Sequence, residues 1–460
     1  MSINLDEYQL KVVNEKKHAL VIAGPGSGKS TTIAQKVLKL LENNISESEI
    51  LLISFTNKSV EDLKKKLGSN LFITTFHHLA IDILKYNNIE YQICDEKLLD
   101  YIIDEYLETI KDKDKLCRYL NIIKLDKNKS EYISFKKLIK TFINLYKTNN
   151  HNINDLKNII TEYQDKYLIK IILDIFYIYE EEKNSTNSLD FDDLIIYATR
   201  ILNNSYNYKK FKYIIIDEFQ DTSLIRFNLA KTIINNTGAI LTAVGDDAQS
   251  IYHFSGCDLF IFLNLNKYLE NIKLLKLVNT YRFSQELINI TASFINKNPY
   301  QLDKNMHGYF NEQNPIEIIY YLKPKTKFKK LIENYYDKDL LILGRNQKDI
   351  YEYIDKDFLL NKDELVYKDK KFKYLTIHSA KGLEADYVIV LNVSNKTLGI
   401  PNKIENHKIL SYVSSKVDNY PYAEERRVFF VALTRCKYKT FLMVPKENPS
   451  IFVKEIKKML

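Results

Sequence analysis

The sequence has no tryptophan and only four cysteines, eight prolines and eleven glycines among 460 residues. Cys94, Cys117, Cys257 and Cys436 stand far apart, with no Cys-x-x-Cys pair and no histidine at ligand spacing. That spacing indicates neither a disulfide framework nor a zinc site, and the expectation is reduced thiols in an intracellular compartment. No apolar run reaches bilayer length, and the polar, acidic start MSINLDEYQLKVV lacks a secretory apolar region. Neither a membrane partner nor a secretory leader is expected, and the predicted location is cytoplasmic, or nuclear or at a viral replication site in a eukaryotic host. Scarce Gly and Pro beside abundant Asn, Ile and Tyr match an AT-rich genome, of a bacterium or a large DNA virus. Such a genome also enriches lysine. The excess of 67 Lys and Arg over 59 acidic residues, a net +8 spread along the chain, is therefore compatible with a polyanionic partner without identifying one.

What glycine there is gathers in one place. Residues 19–32, ALVIAGPGSGKSTT, run from an apolar strand through a glycine-rich turn into a helix start. Gly24, Gly26 and Gly28 let successive N–H groups converge on an anion, Lys29 brings a point charge to the terminal phosphates, and the Ser30 hydroxyl can join a magnesium shell. The candidate nucleotide contacts are Gly24, Gly26, Ser27, Gly28, Lys29, Ser30 and Thr31. Ala23 replaces the first glycine of the strict pattern, at a position that ends the strand and makes no phosphate contact. A nucleoside triphosphate is the expected ligand.

A chain of this length predicts two or three domains. Strands are expected at Ile50–Ser54, Leu71–Thr74, Tyr213–Ile216 and Ile240–Val244, alternating with helices, which predicts a doubly wound parallel sheet with functional groups at the strands' carboxyl ends. Phe55-Thr56-Asn57-Lys58 and Thr75-Phe76-His77-His78 fall at such ends. Asp217-Glu218 follows a buried strand, where ATP hydrolysis needs one carboxylate for magnesium and one to take a proton from water. Gln249 on the neighbouring tip can sense the terminal phosphate, and the aromatics just beyond it can stack on bases. Ahead of the loop, Gln9 carries both donor and acceptor for an adenine edge.

Residues 81 to about 187 lose strand signals and fill with Lys, Asn and Asp, which predicts a helical insertion whose lysines mostly form a solvated face, with a few able to touch a phosphate backbone. From about residue 269 a second alternating series begins with a strand at Leu274–Val278. It continues near Ile316–Tyr321, Leu340–Leu343, Tyr374–Ile377, Tyr387–Leu391 and Thr440–Val444. This half has no phosphate loop, but it offers Arg282 and, on the helix of Glu424-Glu425-Arg426-Arg427, Arg435. A cleft closed over the nucleotide from both sides is the expectation.

Together FTNK, TTFH, DFDDL, IIIDEFQDTS, VGDDAQSIY, NTYRFS, TIHSAKGLE and EERRVFFVALTR follow the phosphate loop in the order of the UvrD/Rep/PcrA group of superfamily 1 helicases, which the chain resembles over almost its whole length. The resemblance implies an α/β fold of two RecA-like parallel-sheet domains, 1–80 with 188–268 and 269–460, and a helical insertion at 81–187. It implies ATP and Mg2+ as cofactors, single-stranded DNA or a tailed duplex as partner, and 3′ to 5′ movement in repair, replication or recombination. By the same resemblance Gln9 would contact adenine, Tyr281 would stack on it and Glu384 would reach the ribose. Lys29, Ser30, Asp217 and Glu218 would serve phosphate, magnesium and water, and Gln249, Arg282 and Arg435 the terminal phosphate. Phe55, Asn57, His77, Tyr252, Phe254 and His378 match positions lining the single-strand channel.

The family's usual tryptophan and arginine after the Gln249 motif are Phe254 and Ser255 here, which removes stacking area and a cation. Only about 90 residues separate Arg282 from Tyr374, too few for the accessory domain that larger relatives insert there. The expectation is a good translocase whose unwinding is poor or depends on a protein partner. An RNA-acting enzyme on the same core stays open, since stacking does not read the 2′-hydroxyl. A non-enzymatic subunit and a P-loop kinase are disfavoured by the retained catalytic set and by the second domain's motifs, and a nuclease fusion by the lack of a further carboxylate-rich domain.

Overall fold

The computed structural model describes residues 4–68, 70–120, 122–152, 156, 163–404, 407–414 and 418–460. Its first sheet has six parallel strands: β1 (Ala19–Ala23), β2 (Ile50–Ile53), β3 (Phe72–Thr74), β4 (Tyr213–Ile216), β5 (Ile240–Gly245) and β6 (Lys273–Leu277). They lie in the order β3-β2-β4-β5-β1-β6. β1 and β2 are buried at every residue, as a parallel strand covered by helices on both faces must be. Helix starts carry side-chain caps where the sequence offers them. Asp6 and Gln9 form a reciprocal capping box, Thr56 accepts from the Ser59 N–H and Asp190 from those of Asp192 and Asp193.

β6 corrects the expected domain boundary. The strand predicted to open the second domain pairs in parallel with β1 from Ala19↔Lys273 to Ala23↔Leu277 and is the edge of the first sheet. The chain crosses over only after it. Phe283 and the helix Gln285–Ile295 lie in the second core, with Val428, Phe429 and Phe452.

The second sheet runs β7 (Ile316–Tyr321), β8 (Leu340–Gly344), β9 (Phe358–Asn361), β10 (Glu364–Tyr367), β11 (Lys370–Thr376), β12 (Ala385–Val390) and β13 (Cys436–Pro445). Its order is β7-β13-β12-β8-β11-β10-β9. The first five strands in that order are parallel, and β9 and β10 add an antiparallel hairpin. The hairpin, absent from the expected strands, occupies the stretch between β8 and β11 where the accessory insertion was expected to be missing.

The insertion contains the helices Leu98–Thr109, Lys113–Leu120, Ser130–Thr148 and Tyr163–Ser185, packed around Ile103, Ile139, Phe142 and Ile172. Two of its lysines are not the solvated cations expected of them. Lys147 and Lys183 are buried and ion-paired with Asp190 and Asp193 at the start of the helix Phe191–Asn204 in the first domain. Lys147 lies 2.6 Å from both carboxylates, and Lys183 is 2.7 Å from Glu180. Against the cost of burial, the lysine charges hold the Asp190 carboxyl below its usual range. The cluster anchors the insertion to the first domain.

A loop of the second domain reaches the same insertion. Ile409, Leu410 and Val413 are buried in its core, the Val413 carbonyl accepts from Asn149 Nδ2 at 2.7 Å, and Tyr412 donates to Asp165 at 2.8 Å. The insertion is thus tied to both sheets.

Removing one cation from the buried cluster leaves carboxylates without compensation. Lys183→Met is expected to lower stability by about 3–5 kcal/mol in urea unfolding. An unchanged midpoint and slope would contradict the anchoring role of the pair.

Candidate functional site: a cleft between two sheets

The carboxyl ends of β1, β4 and β5 face the second domain across a cavity of about 870 Å³. Its lining includes Gly26, Ser27, Gly28, Lys29, Ser30, Thr31, Asp217, Glu218, Gln249, Tyr281, Arg282, Glu384 and Arg435. Of the expected nucleotide contacts, Gly24 and Gln9 stand just behind this lining. A Cβ on Gly24 would collide with Met306, and one on Gly28 would meet the Gln9 amide. Residues more than 400 positions apart therefore converge on one cavity.

The phosphate loop turns through left-handed backbone at Gly26 and Gly28, with φ of 74° and 77°. A Cβ at Gly26 would lie 2.5 Å from both Thr280 Oγ1 and Arg282 Cβ. The segment Thr280–Arg282 thus rests directly on the loop. Tyr281 N donates to the Gly26 carbonyl at 2.9 Å and Thr280 Oγ1 to that of Pro25 at 2.9 Å. The Ser27 hydroxyl is turned inward to the Gly24 carbonyl at 2.8 Å.

At the tip of β4, Glu218 itself adopts a left-handed conformation, φ 50° and ψ 42°, a strained state for a residue with a side chain. Its carboxylate lies 3.4 Å from Lys29 Nζ and accepts from Gln220 Nε2 at 2.5 Å. Burial works against both carboxylates. It pushes Asp217 up, helped by the adjacent Glu218 charge, whereas Lys29 and Lys381 overcome it at Glu218 and hold that group low. The two lysines therefore favour the ionised form of Glu218, the form that can accept a proton. The Ser30 hydroxyl and the Asp217 carboxylate are hard oxygen donors on one wall of the cavity, a set that fits Mg2+.

Arg282 and Arg435 face this wall from the other side. Arg282 pairs with Glu384 at 2.7 Å and donates to the Thr434 carbonyl at 3.3 Å. Arg435 lies just past the helix Ala423–Leu433 and not on it, is 1% exposed, and donates to Gln249 Oε1 at 3.0 Å. Burial, then the charge of Arg282, lowers the affinity of Arg435 for its proton. Two guanidiniums held this way favour an anion between them.

At the base end, Tyr281 is 41% exposed and donates to Asp6 at 2.6 Å. The Gln9 carbonyl accepts from the Asp6 N–H at 3.1 Å and its Nε2 lies 3.4 Å from the Ser27 carbonyl. One lone pair and one N–H of the amide remain.

The expected strand contacts form a row beside the cavity. Phe55 stacks on Tyr252 with centroids 5.8 Å apart, Tyr252 meets Phe254 and His378 at 6.2 Å each, and Phe254 meets His378 at 5.8 Å. Phe254 is 54% exposed. The row crosses from first to second domain, and the Tyr252 hydroxyl donates to the His378 carbonyl at 2.9 Å. His77 stands apart, edge-on to the exposed Phe191 at 5.6 Å, and Asn57 is exposed on the first turn of its helix. Burial, followed by neighbouring cations, pushes His77 and His378 down to about 4, so both are neutral at neutral pH.

Three features escaped the sequence reading. Lys381 forms an ion pair with Asp221 and donates to the Gln249 carbonyl at 2.7 Å, which makes it a bridge between the domains. Lys304, nearly buried, pairs with Asp246 at 2.9 Å and Asp247 at 2.7 Å, and Asp246 in turn accepts from Gln249 Nε2 at 2.5 Å. Phe191, within the DFDDL motif, is the third, an exposed aromatic beside His77. Its exposure at a helix N-terminus was the available signal. Lys304 sits in a polar stretch, KNPYQLDKN, that reads as surface.

The family model described as the UvrD/REP helicase N-terminal domain matches residues 5–270, and that of the UvrD-like helicase C-terminal domain matches residues 325–447. Among individual relatives, the chain is 27% identical to DNA helicase IV of Escherichia coli (strain K12), over 97% of this chain and 69% of that protein. It is 31% identical to a probable DNA helicase II homolog of Mycoplasma capricolum, over 74% of this chain and 48% of the relative. With the ATP-dependent DNA helicase Rep of Escherichia coli (strain K12) it shares 27% identity over 72% of this chain and 51% of the relative. The first family model alone covers more than half of the 460 residues and contains the phosphate loop, the Asp217-Glu218 pair and Gln249, and the chain belongs to the UvrD/REP helicase family.

Proposed function

We propose that the protein is an ATP-driven motor that moves 3′ to 5′ along single-stranded DNA. The observation carrying this reading is that one domain boundary holds both the charged cavity and the aromatic row. Gln249 contacts Arg435 and Lys381 across it, and three residues further on Tyr252 contacts His378 across it. A change in the distance between the sheets that reorders one set must reorder the other.

In this reading Lys29, Arg282 and Arg435 gather the phosphate charge, and nucleotide replaces the Lys29–Glu218 and Arg282–Glu384 pairs that close the cavity. Ser30 and Asp217 would hold Mg2+, which supplies charge neutralisation at the phosphates. Glu218 accepts a proton from the attacking water, and Gln220, which donates to it and accepts from the Asp246 N–H at 2.9 Å, fixes its orientation. Tyr281 and Gln9 address the base, with Glu384 freed toward the ribose. Phe55, Tyr252, Phe254 and His378 stack on bases of the strand, with Asn57 and His77 beside them.

The short hairpin β9–β10 in place of an accessory domain supports a narrower proposal: the motor translocates well and unwinds poorly without a protein partner. Its site of action is cytoplasmic or nuclear, where such DNA is met. No helix among the described residues is long and apolar enough to cross a membrane.

ATP turnover is expected to rise strongly with single-stranded DNA, and Glu218→Gln to cut stimulated turnover by ~10²-fold or more without loss of nucleotide binding. Stimulation by RNA alone would instead move the reading to an RNA motor. In paired assays, single-strand translocation is expected to be robust and unwinding of a long tailed duplex weak. Unaided unwinding of long duplexes would contradict the narrower proposal.

A further inference from the structure

The row of aromatics faces a charge problem. A single strand brings one phosphate per nucleotide, yet the ionisable groups nearest the row are mostly silenced. His77 and His378 are neutral. Lys381, whose ammonium lies 5.2 Å over the Tyr252 ring, is committed to Asp221. Ser255 stands where the resemblance places a cation.

Arg226 is different. It is the third residue of the helix Leu224–Thr237, and its guanidinium lies 5.1 Å over the Phe55 ring. A cation in the first turn opposes the helix dipole. Among the described residues no carboxylate comes within 4.0 Å of it, and its hydrogen bond is a 3.5 Å contact with the Asp221 carbonyl. Asp192 is a carboxylate whose ionisation it favours from beyond contact distance, and burial acts against that ionisation. Arg226 is half-buried, so its cation stands beside low-dielectric rings with no carboxylate in salt-bridge contact among the described residues.

We propose that Arg226 is the phosphate-binding cation of the strand channel, supplying from the first domain the charge that Ser255 does not. It holds a backbone phosphate while bases stack along Phe55, Tyr252 and Phe254, and its planar fork suits a phosphate better than an ammonium would. This rests on the single-strand reading above and adds a residue to it.

The test is the salt dependence of oligo(dT) binding by the full chain, followed by fluorescence anisotropy between about 50 and 200 mM NaCl. Wild type must first bind with a salt-dependent affinity; if it does not, the single-strand reading itself fails. Given binding, Arg226→Gln is expected to weaken it roughly tenfold and to flatten the log–log salt slope by about 0.7, the value for one phosphate of a single strand. Arg226→Lys is expected to keep the slope. An unchanged affinity in Arg226→Gln overturns the proposal. So does a weaker affinity with an unchanged slope, which would mean that Arg226 only props Phe55. Basal nucleotide turnover without DNA, expected to stay within twofold of wild type in both variants, controls for folding.

Discussion

Arg435 is held between the two sheets with its guanidinium divided between domains: the helix that precedes it through the Val431 carbonyl at 3.1 Å, and the first domain through Gln249 at 3.0 Å. A buried guanidinium beside a second arginine is costly on its own. The cleft tolerates the arrangement because the carboxylates of Asp217 and Glu218 line the same cavity from the opposite wall. Lys29 with Glu218, Arg282 with Glu384 and Lys381 with Asp221 are local settlements of the same constraint. In the proposed reading the first two are exchanged when nucleotide enters. On that reading ligand binding replaces ion pairs made within one domain by contacts to an anion shared between the two.

That exchange has a mechanical route outward. Gln249 sits between Asp246, which Lys304 holds in place, and Tyr252, which begins the aromatic row. Lys304 comes from the connection that leads out of the first sheet, through the helix Gln285–Ile295 and back toward the cleft. The return is marked by His307–Gly308 pairing with Asn279–Thr280. A buried ion pair thus ties this connection between the sheets to the tip of β5. The insertion adds a further restraint, since its lysines bind it to the first domain and Val413 and Tyr412 bind it to the second.

The cavity was legible in the sequence because its residues carry local signatures. Glycines at alternate positions before Lys-Ser, and an acidic pair at the tip of an apolar strand, have few other physical reasons to exist. Arg282 and Arg435 were legible through motif order. What was hidden depends on partners distant in the chain. KLLKL reads equally as a strand of either domain, and only its pairing with β1 assigns it to the first sheet. Lys147, Lys183 and Lys304 look like solvated cations, because burial of a lysine is decided by carboxylates supplied from another element. The hairpin β9–β10 lies in a run of Lys and Asp whose alternation is broken at the turn, with Lys362 in left-handed backbone.

In the proposed reading nucleotide and strand meet the same boundary from two sides, so their binding is linked, and linkage is reciprocal. The most direct measurement is the affinity for single-stranded DNA with and without a non-hydrolysable ATP analogue, together with the affinity for the analogue with and without DNA. A shared boundary predicts that each ligand changes the other's dissociation constant by one common factor, on the order of 5- to 150-fold. Two affinities that ignore each other would contradict it, and would mean that the cavity and the aromatic row are neighbours without being coupled.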